Sequence, residues 1–339
     1  MKKIFVCGIL PAVLILSCGE KKPESEVKAE EPKVEKKEQG KTPEVAGENK
    51  DAEKGKGQAK EKAKSAEAKP AAMAPAAEKK AETPKVWTEL ALHKALRAAN
   101  PGYSGNGEFK IEGGRVIAMR LSQCGITSIE PLRGMELMMI DLQACPITDI
   151  SALKGMPMVE LFLDGTGVED LSPLAGMKDL QKLYIDKSNV KDLTPLKGLP
   201  IQELNLVGTR ISDISALKGM PLKMLWLTDL PVKDISALAG SPLVSVTLHR
   251  TKIEDVSPLA KTQIQRIHIG ETPVTDLSSL AGLPLTRLVF DPAKITKGID
   301  GIRGITTMTQ IGTKFEQDLN TLLPPTQFWP KYDAGEFKK

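Results

Sequence analysis

Aromatic residues are scarce in this 339-residue sequence: seven Phe, three Tyr and three Trp make up 4% of the chain. Histidine and cysteine are equally rare, with three and four residues. No Cys and His residues have the spacing of a metal site, and neither a glycine-rich phosphate loop nor a G-x-S-x-G motif occurs. These absences argue against the common classes of enzyme and against a bound cofactor or metal.

The sequence also lacks an apolar run long enough to cross a bilayer, which takes about 20 residues. Two lysines and a short apolar stretch predict a secretory signal peptide over residues 1–17. The motif at its end, Ile-Leu-Ser-Cys-Gly, resembles the lipobox of bacterial lipoproteins. This resemblance implies a lipid-modified Cys18, acylated with palmitate, that anchors an exported protein in a membrane. An ordinary signal peptide containing a cysteine is the alternative.

Neither sign of charge dominates the part of the chain that can fold. The formal net charge is +4, of which residues 1–17 and residues 18–85 each supply +2, so residues 86–339 sum to zero. A basic stripe for nucleic-acid binding is therefore not expected. Residues 18–85 also lack Leu, Ile and aromatic residues, which predicts a lipidated N-terminus followed by a disordered tether. Gly19 after the lipid cysteine favours the outer membrane if the source has two membranes.

Repetition is what the sequence has in abundance. The pattern L-x-L-x-x-T-x-I-x-D-I-x-x-L, with conservative replacements, begins at Leu161, Leu204 and Val246. The repeat spacing is 21 residues, with one step of 22 into Ile185. A fixed period of this length predicts a stacked solenoid over residues 116–311, since no single unit can bury its own apolar face. The alternating apolar residues predict short parallel strands that point into the core.

Two polar columns accompany the leucines. An Asp precedes each predicted turn, where its side chain can accept hydrogen bonds from unpaired backbone N–H groups; this column consists of Asp149, Asp170, Asp192, Asp213, Asp234, Asp255 and Asp276. A hydroxyl column is expected to bond to buried loop backbone; it consists of Thr166, Ser188, Thr209, Thr251 and Thr272. Cys124 and Cys145 fill the same column in the first two coils. Two buried thiols are expected there, and a disulfide is the alternative.

The repeats resemble the short-period leucine-rich repeats of internalins and related bacterial surface proteins, over roughly Val116 to Ile311. The resemblance implies an α/β leucine-rich-repeat solenoid with parallel strands on the concave face and short 3-10 or helical turns on the convex face. It says nearly nothing about the ligand.

Both ends of a solenoid need caps. Residues 86–115 predict an N-terminal cap, with an amphipathic helix over Trp87–Ala99 and a hairpin around Gly113. Residues 312–339 predict a C-terminal cap, with a helix from Phe315 to Leu323 ended by two prolines. The aromatic residues of the tail either complete this cap or form an exposed docking tail; they are Phe328, Trp329, Tyr332 and Phe337.

The outward-facing strand positions gather the scarce aromatics. One column, read from Arg120 to Gln310, contains three of them within four coils. Large aromatics on an exposed surface are common interface anchors. The predicted partner-binding residues are Phe162, Tyr184, Asn205, Trp226, Thr247, His249 and His268. Acidic residues occupy the early coils of this face and arginines the late ones.

These observations predict a non-catalytic, monomeric, lipid-anchored envelope protein whose concave face binds a protein, peptide or glycan. The alternative is an envelope scaffold or spacer without a specific ligand. His249, His268 and Asp291 lie on neighbouring coils and carry acid–base groups. They lack a candidate nucleophile and an enclosed pocket, so catalysis is not expected.

Overall fold

The computed structural model describes residues 86–313 and 321–337. The predicted signal peptide, Cys18 and the tether all lie outside the described residues. Among the described helices, none has both the length and the apolar character needed to span a membrane.

Short strands stack in sequence order into one sheet of eleven strands. The first pair, β1–β2, is antiparallel, and every later pair is parallel. The predicted solenoid is thereby confirmed. The strands are β1 (Glu108–Glu112), β2 (Arg115–Arg120), β3 (Met139–Asp141), β4 (Glu160–Phe162), β5 (Lys182–Tyr184), β6 (Glu203–Asn205), β7 (Met224–Trp226), β8 (Ser245–Thr247), β9 (Arg266–His268), β10 (Arg287–Val289) and β11 (Gln310–Gly312).

Each connection from β2 to β10 runs through a short 3-10 turn on the side opposite the strands. The aspartates behave as predicted, because each accepts a backbone N–H two residues later at 2.7 or 2.8 Å. These bonds satisfy donors that a turn start leaves without partners. The turns are Glu130–Leu132, Ser151–Leu153, Ser172–Leu174, Thr194–Leu196, Ser215–Leu217, Ser236–Leu238, Ser257–Lys261 and Ser278–Leu280.

A single apolar core fills the space between strands and turns. In one coil, Leu161 and Leu163 enter it from the strand side, while Leu171 and Leu174 enter from the turn side. All four are buried, which removes apolar surface that no isolated coil could cover. Because every coil repeats this arrangement, the core runs continuously along the solenoid.

The hydroxyl column bonds to the backbone as expected at four of its five positions. The Thr166 hydroxyl, for example, donates to the carbonyl oxygen of Leu163 at 2.6 Å, and the others repeat this geometry. The Ser188 hydroxyl is buried without such a bond. Cys124 and Cys145 are free buried thiols, so the alternative of a disulfide is wrong.

The residue before this hydroxyl column has a left-handed backbone conformation in coil after coil. Gly165 and Gly208 adopt φ of +66° and +64° there. Residues with side chains adopt similar values, including Ala144 at +52°. An L-residue pays a steric cost in this region that glycine avoids.

The predicted N-terminal cap is confirmed. Helix α1 (Glu89–Ala99) begins after Thr88, whose hydroxyl accepts the Ala91 N–H at 3.2 Å, and β1 and β2 form the hairpin. Asn100 ends α1 and joins it to the first coil, because its Oδ1 accepts backbone N–H groups from Thr127 and Ser128, both at 2.7 Å.

The C-terminal cap contains a helix after the two prolines, whereas most of the predicted helix Phe315–Leu323 lies outside the described residues. Leu323 pairs with Ile311 as a short antiparallel bridge, and the helix, α3 (Pro325–Asp333), follows it. The two prolines begin this helix, because proline fits the first helical position, where no N–H is needed. A shorter helix, α2 (Ile299–Arg303), precedes β11.

The tail aromatics pack against the last coil. Phe328 is fully buried and lies 5.9 Å from the ring of Phe290. Arg303 covers the ring of Trp329 at 4.9 Å and pairs with Asp333. The tail thus closes the apolar core, as expected of a cap.

Candidate functional site

Each three-residue strand from β3 to β10 places its first and third side chains on one face and its middle side chain in the core. On β4, Leu161 enters the core, while Glu160 and Phe162 on either side are half-buried on the concave face. Parallel pairing aligns these positions from coil to coil. The second outward position forms the central column, which reads Asp141, Phe162, Tyr184, Asn205, Trp226, Thr247, His268 and Val289. The first forms the flanking column, which reads Met139, Glu160, Lys182, Glu203, Met224, Ser245, Arg266, Arg287 and Gln310.

The prediction that Gln310 ends the central column is wrong. Gln310 pairs in register with Arg287, and Gly312 takes the central position beside Val289. The last step of the ladder is 23 residues long instead of 21, which moves Gln310 into the flanking column. There its side-chain oxygen accepts a hydrogen bond from Arg287 Nε at 2.8 Å.

Three rings of the central column touch one another. The centroids of Phe162 and Tyr184 are 5.2 Å apart with an interplanar angle of 75°, and those of Tyr184 and Trp226 are 5.7 Å apart at 62°. Both are edge-to-face contacts, a favoured arrangement for aromatic pairs. We call Phe162, Tyr184 and Trp226 the aromatic stripe. All three side chains remain half-buried, so each presents part of its surface to solvent.

Asn205 explains how rings two strands apart can meet. It lies between Tyr184 and Trp226 in the central column. Its Oδ1 accepts the backbone N–H of Val207 at 3.1 Å, which holds the short side chain against its own strand. The space above Asn205 is therefore available to the two larger rings.

Charged groups fix the edge of the stripe. The Tyr184 hydroxyl donates to Glu203 Oε2 at 3.1 Å, and Lys182 Nζ lies 3.2 Å from Glu160 and 3.8 Å from Glu203. Burial, followed by the charge of Glu203, raises the pKa of Tyr184 above its ordinary value. The phenol therefore stays protonated and keeps its hydrogen bond at physiological pH.

On the other side of the stripe lies a carboxyl group that is largely withdrawn from water. Asp164 accepts hydrogen bonds from the Asp186 backbone N–H at 2.9 Å and from Gln143 Nε2 at 2.7 Å. Burial, with added repulsion from the Asp186 and Asp141 carboxylates, raises its pKa to about 7. Shifts of this size concentrate at functional sites. Among residues 86–313 and 321–337, no group of three or more acidic, His or Cys side chains is placed to hold a metal ion.

The expected outward exposure of Thr247 and His249 is wrong. Thr247 is 8% exposed and His249 is 1% exposed. His249 Nε2 lies 3.0 Å from Arg250 Nη1, and the next coil has Gly270 at the matching position. Because glycine has no side chain, the imidazole settles into the gap. Burial, and then the charge of Arg250, lowers the pKa of His249.

His268 is half-buried and separated from the aromatic stripe by Thr247. Burial, then the nearby charge of Arg287, lowers its pKa to about 4, so the imidazole is neutral at pH 7. The structure therefore brings Phe162, Tyr184, Asn205 and Trp226 together and places the two histidines apart from them.

Two residues at this site were not among the predicted partner-binding set. Glu203 anchors the Tyr184 hydroxyl, and Lys182 lies between two glutamates. Their signal was present in the sequence, because opposite charges about one repeat apart in a parallel ladder must lie side by side.

The fold is similar to solved structures of internalins from Listeria monocytogenes. An internalin (inlF) of strain 4b F2365 has 25% sequence identity and a TM-score of 0.52, with 65% of this chain and 67% of that chain covered. Internalin C2 (inlC2) of the same strain has 26% identity and a TM-score of 0.49, with 59% and 92% covered.

The functional domain of InlJ has 16% identity and a TM-score of 0.35, with 61% and 56% covered. The similarity to the inlF protein supports an internalin-like leucine-rich-repeat fold. No family model and no curated protein sequence matches the chain. None of the comparisons indicates a catalytic family.

Proposed function

We propose that this chain is a non-catalytic, exported protein that binds a partner protein on its concave strand face. The aromatic stripe is the observation that carries the proposal. Aromatics form 4% of the sequence, yet three of them meet at half-buried positions of one column. Rigid aromatic side chains that keep exposed surface are frequent hot spots of protein interfaces.

The geometry of the rings favours a protein over a glycan. Sugar rings stack on flat aromatic faces, which requires a ring that lies open along the surface. In the stripe, neighbouring rings instead lie edge to face, with interplanar angles of 75° and 62°, so the three rings do not form one flat platform. Such a surface offers both ring edges and ring faces to the apolar side chains of a protein.

The lipid anchor belongs to the same proposal. Cys18 would carry the acyl chains after removal of residues 1–17, and residues 18–85 would link the membrane to the solenoid. The support is the lipobox-like motif before Cys18 and the lack of Leu, Ile and aromatic residues in the linker. Under this proposal the folded domain acts as a monomer held at the envelope, at the outer membrane in a two-membrane source.

A crosslinking capture tests the binding function. A photoreactive residue replaces Met224, in the flanking column beside Trp226, and the chain is crosslinked on intact cells with the stripe intact and as the variant F162A/Y184A/W226A. The variant should reduce capture at least about 30-fold, equivalent to losing one hot spot of about 2 kcal/mol. The matched control is V86A/L90A. It truncates two apolar side chains of the N-terminal cap that are 73% and 78% exposed.

Three outcomes separate the functions. Loss of capture in the stripe variant alone, with an unchanged circular dichroism spectrum, supports partner binding. Undiminished capture by the folded stripe variant would indicate a scaffold without a specific ligand. A captured species that survives proteases but disappears after glycosidase treatment would identify a glycan and refute the protein partner.

A further inference from the structure

The flanking column changes character along the solenoid. In its early half, Lys182 has a carboxylate on each side, Glu160 on β4 and Glu203 on β6. Positive and negative groups there compensate one another on the surface. The later half, on β9 and β10, is built differently.

Arg266 and Arg287 are direct register partners on β9 and β10. Their neighbours in the column are Ser245 and Gln310, neither of which carries a charge. Within the part of the chain that the structure describes, neither guanidinium forms an ion pair with a carboxylate. Two like charges on adjacent strands repel each other, so this arrangement costs folding free energy that an opposite charge from outside would recover.

The surroundings position one of these side chains. Arg287 Nε donates a hydrogen bond to Gln310 Oε1 at 2.8 Å. This bond orients the guanidinium and leaves its two terminal nitrogens available to a ligand. Burial, followed by the charge of Arg266, lowers the pKa of Arg287. The adjacent His268 is neutral at pH 7 and so adds no third charge.

We propose that Arg266 and Arg287 form a carboxylate-binding site for an acidic segment of the partner protein. This inference rests on the proposed function, because it assigns the chemistry of the partner at the same concave face. The planar fork of each guanidinium matches a carboxylate with two parallel hydrogen bonds. An acidic peptide presents such groups on neighbouring residues, so one carboxylate can meet each arginine.

The partner therefore has two features along its contact surface. Apolar side chains contact the aromatic stripe, and an acidic segment lies several strands farther along. The glutamates around Lys182 and the carboxyls near Asp164 would repel the acidic segment from the early coils. The charge pattern thus sets the direction in which the partner lies on the face.

A binding assay with a defined probe tests the inference. Fluorescein-labelled hexaglutamate is titrated with the full chain, and fluorescence anisotropy is measured for wild type, R266Q/R287Q and R266K/R287K. Hexaglutamine and a sulfated heparin tetrasaccharide are the comparison ligands. The charge-matched control is K197Q/K218Q, which removes two exposed lysines from the turns on the opposite side.

The double glutamine variant should weaken hexaglutamate binding about tenfold or more, the scale of losing a charge-assisted hydrogen bond. The lysine variant keeps both charges but not the forks, so it should retain part of the affinity. The control variant should bind like wild type, and about 1 M NaCl should weaken binding because it shortens the Debye length to about 3 Å.

Equal hexaglutamate binding by wild type and R266Q/R287Q would overturn the inference. Arginine-dependent binding of the sulfated tetrasaccharide without binding of hexaglutamate would also overturn it, in favour of a glycan. The stripe variant F162A/Y184A/W226A serves as the cross-check. If it captures its partner normally while R266Q/R287Q loses hexaglutamate, the aromatic proposal fails and the carboxylate site stands.

Discussion

Replacement of Asp164 by Asn should change the pH dependence of stability in a defined direction. The pKa of Asp164 is about 7 in the folded protein and 3.8 without its surroundings. Between these values the folded state holds a proton that the unfolded state has released. Stability therefore falls as the pH rises from about 4 to about 7, and then stays at its lower level.

The size of the effect follows from the difference of about 3 between the two pKa values, which corresponds to about 4 kcal/mol. Asn keeps the shape but has a single acceptor oxygen, so it can serve either Asp186 N or Gln143 Nε2. The lost hydrogen bond costs about 1 kcal/mol. D164N should thus be about 3 kcal/mol more stable than wild type near pH 8, and about 1 kcal/mol less stable near pH 4.

Urea denaturation at several pH values, followed by circular dichroism, measures the free energy of unfolding of D164N and of wild type. The control is D149N, because the contribution of Asp149 to stability changes with pH in the opposite direction. Backbone and side-chain hydrogen bonds from Ser151 lower the pKa of Asp149, so its contribution to stability is present above its unfolded pKa and is lost as the pH falls. A stability difference between D164N and wild type that stays constant from about pH 4 to about pH 8 would refute the reasoning for Asp164.

Two further predictions concern the loop backbone and the anchor. Ala144→Gly should stabilise the protein by about 0.5–1 kcal/mol, because φ at Ala144 is +52° and glycine relieves that conformation. In a thermal melt, Ala175→Gly, at an exposed position with φ of −56°, should give no gain, and a loss of stability in A144G would contradict the account. Cys18→Ala should abolish incorporation of labelled palmitate in cells, while Cys7→Ala should leave it intact. Undiminished labelling of C18A would remove the proposed anchor.

Much of the fold could be predicted because it depends on a pattern repeated in many coils. An inward leucine such as Leu161 has the same neighbours in each unit, so its burial follows from the period. The role of the Asp column could be predicted for the same reason, since each side chain accepts a hydrogen bond from a backbone N–H only two residues later. A local interaction that recurs in many coils is therefore predicted correctly from the sequence pattern.

The candidate site was less predictable because it depends on single exceptions. His249 is buried because the neighbouring coil happens to have Gly270, which an average over the repeats does not show. Gln310 left its expected column because one step of the ladder is longer. Likewise, the sequence alone does not show whether Pro325 ends one helix or begins another. The bridge between Leu323 and Ile311 places the chain beside β11, and α3 begins at Pro325.

The parallel pairing of the strands turns the concave face into a molecular ruler. Backbone hydrogen bonds hold neighbouring strands about 4.8 Å apart, whatever side chains they carry. Tyr184 and Arg266 lie on β5 and β9, four strand spacings apart, and are thus separated by about 19 Å along the solenoid. A substitution in one coil changes the side chain at one strand position and leaves the spacing of the other strand positions unchanged. Selection can therefore alter one contact with a partner without shifting the rest.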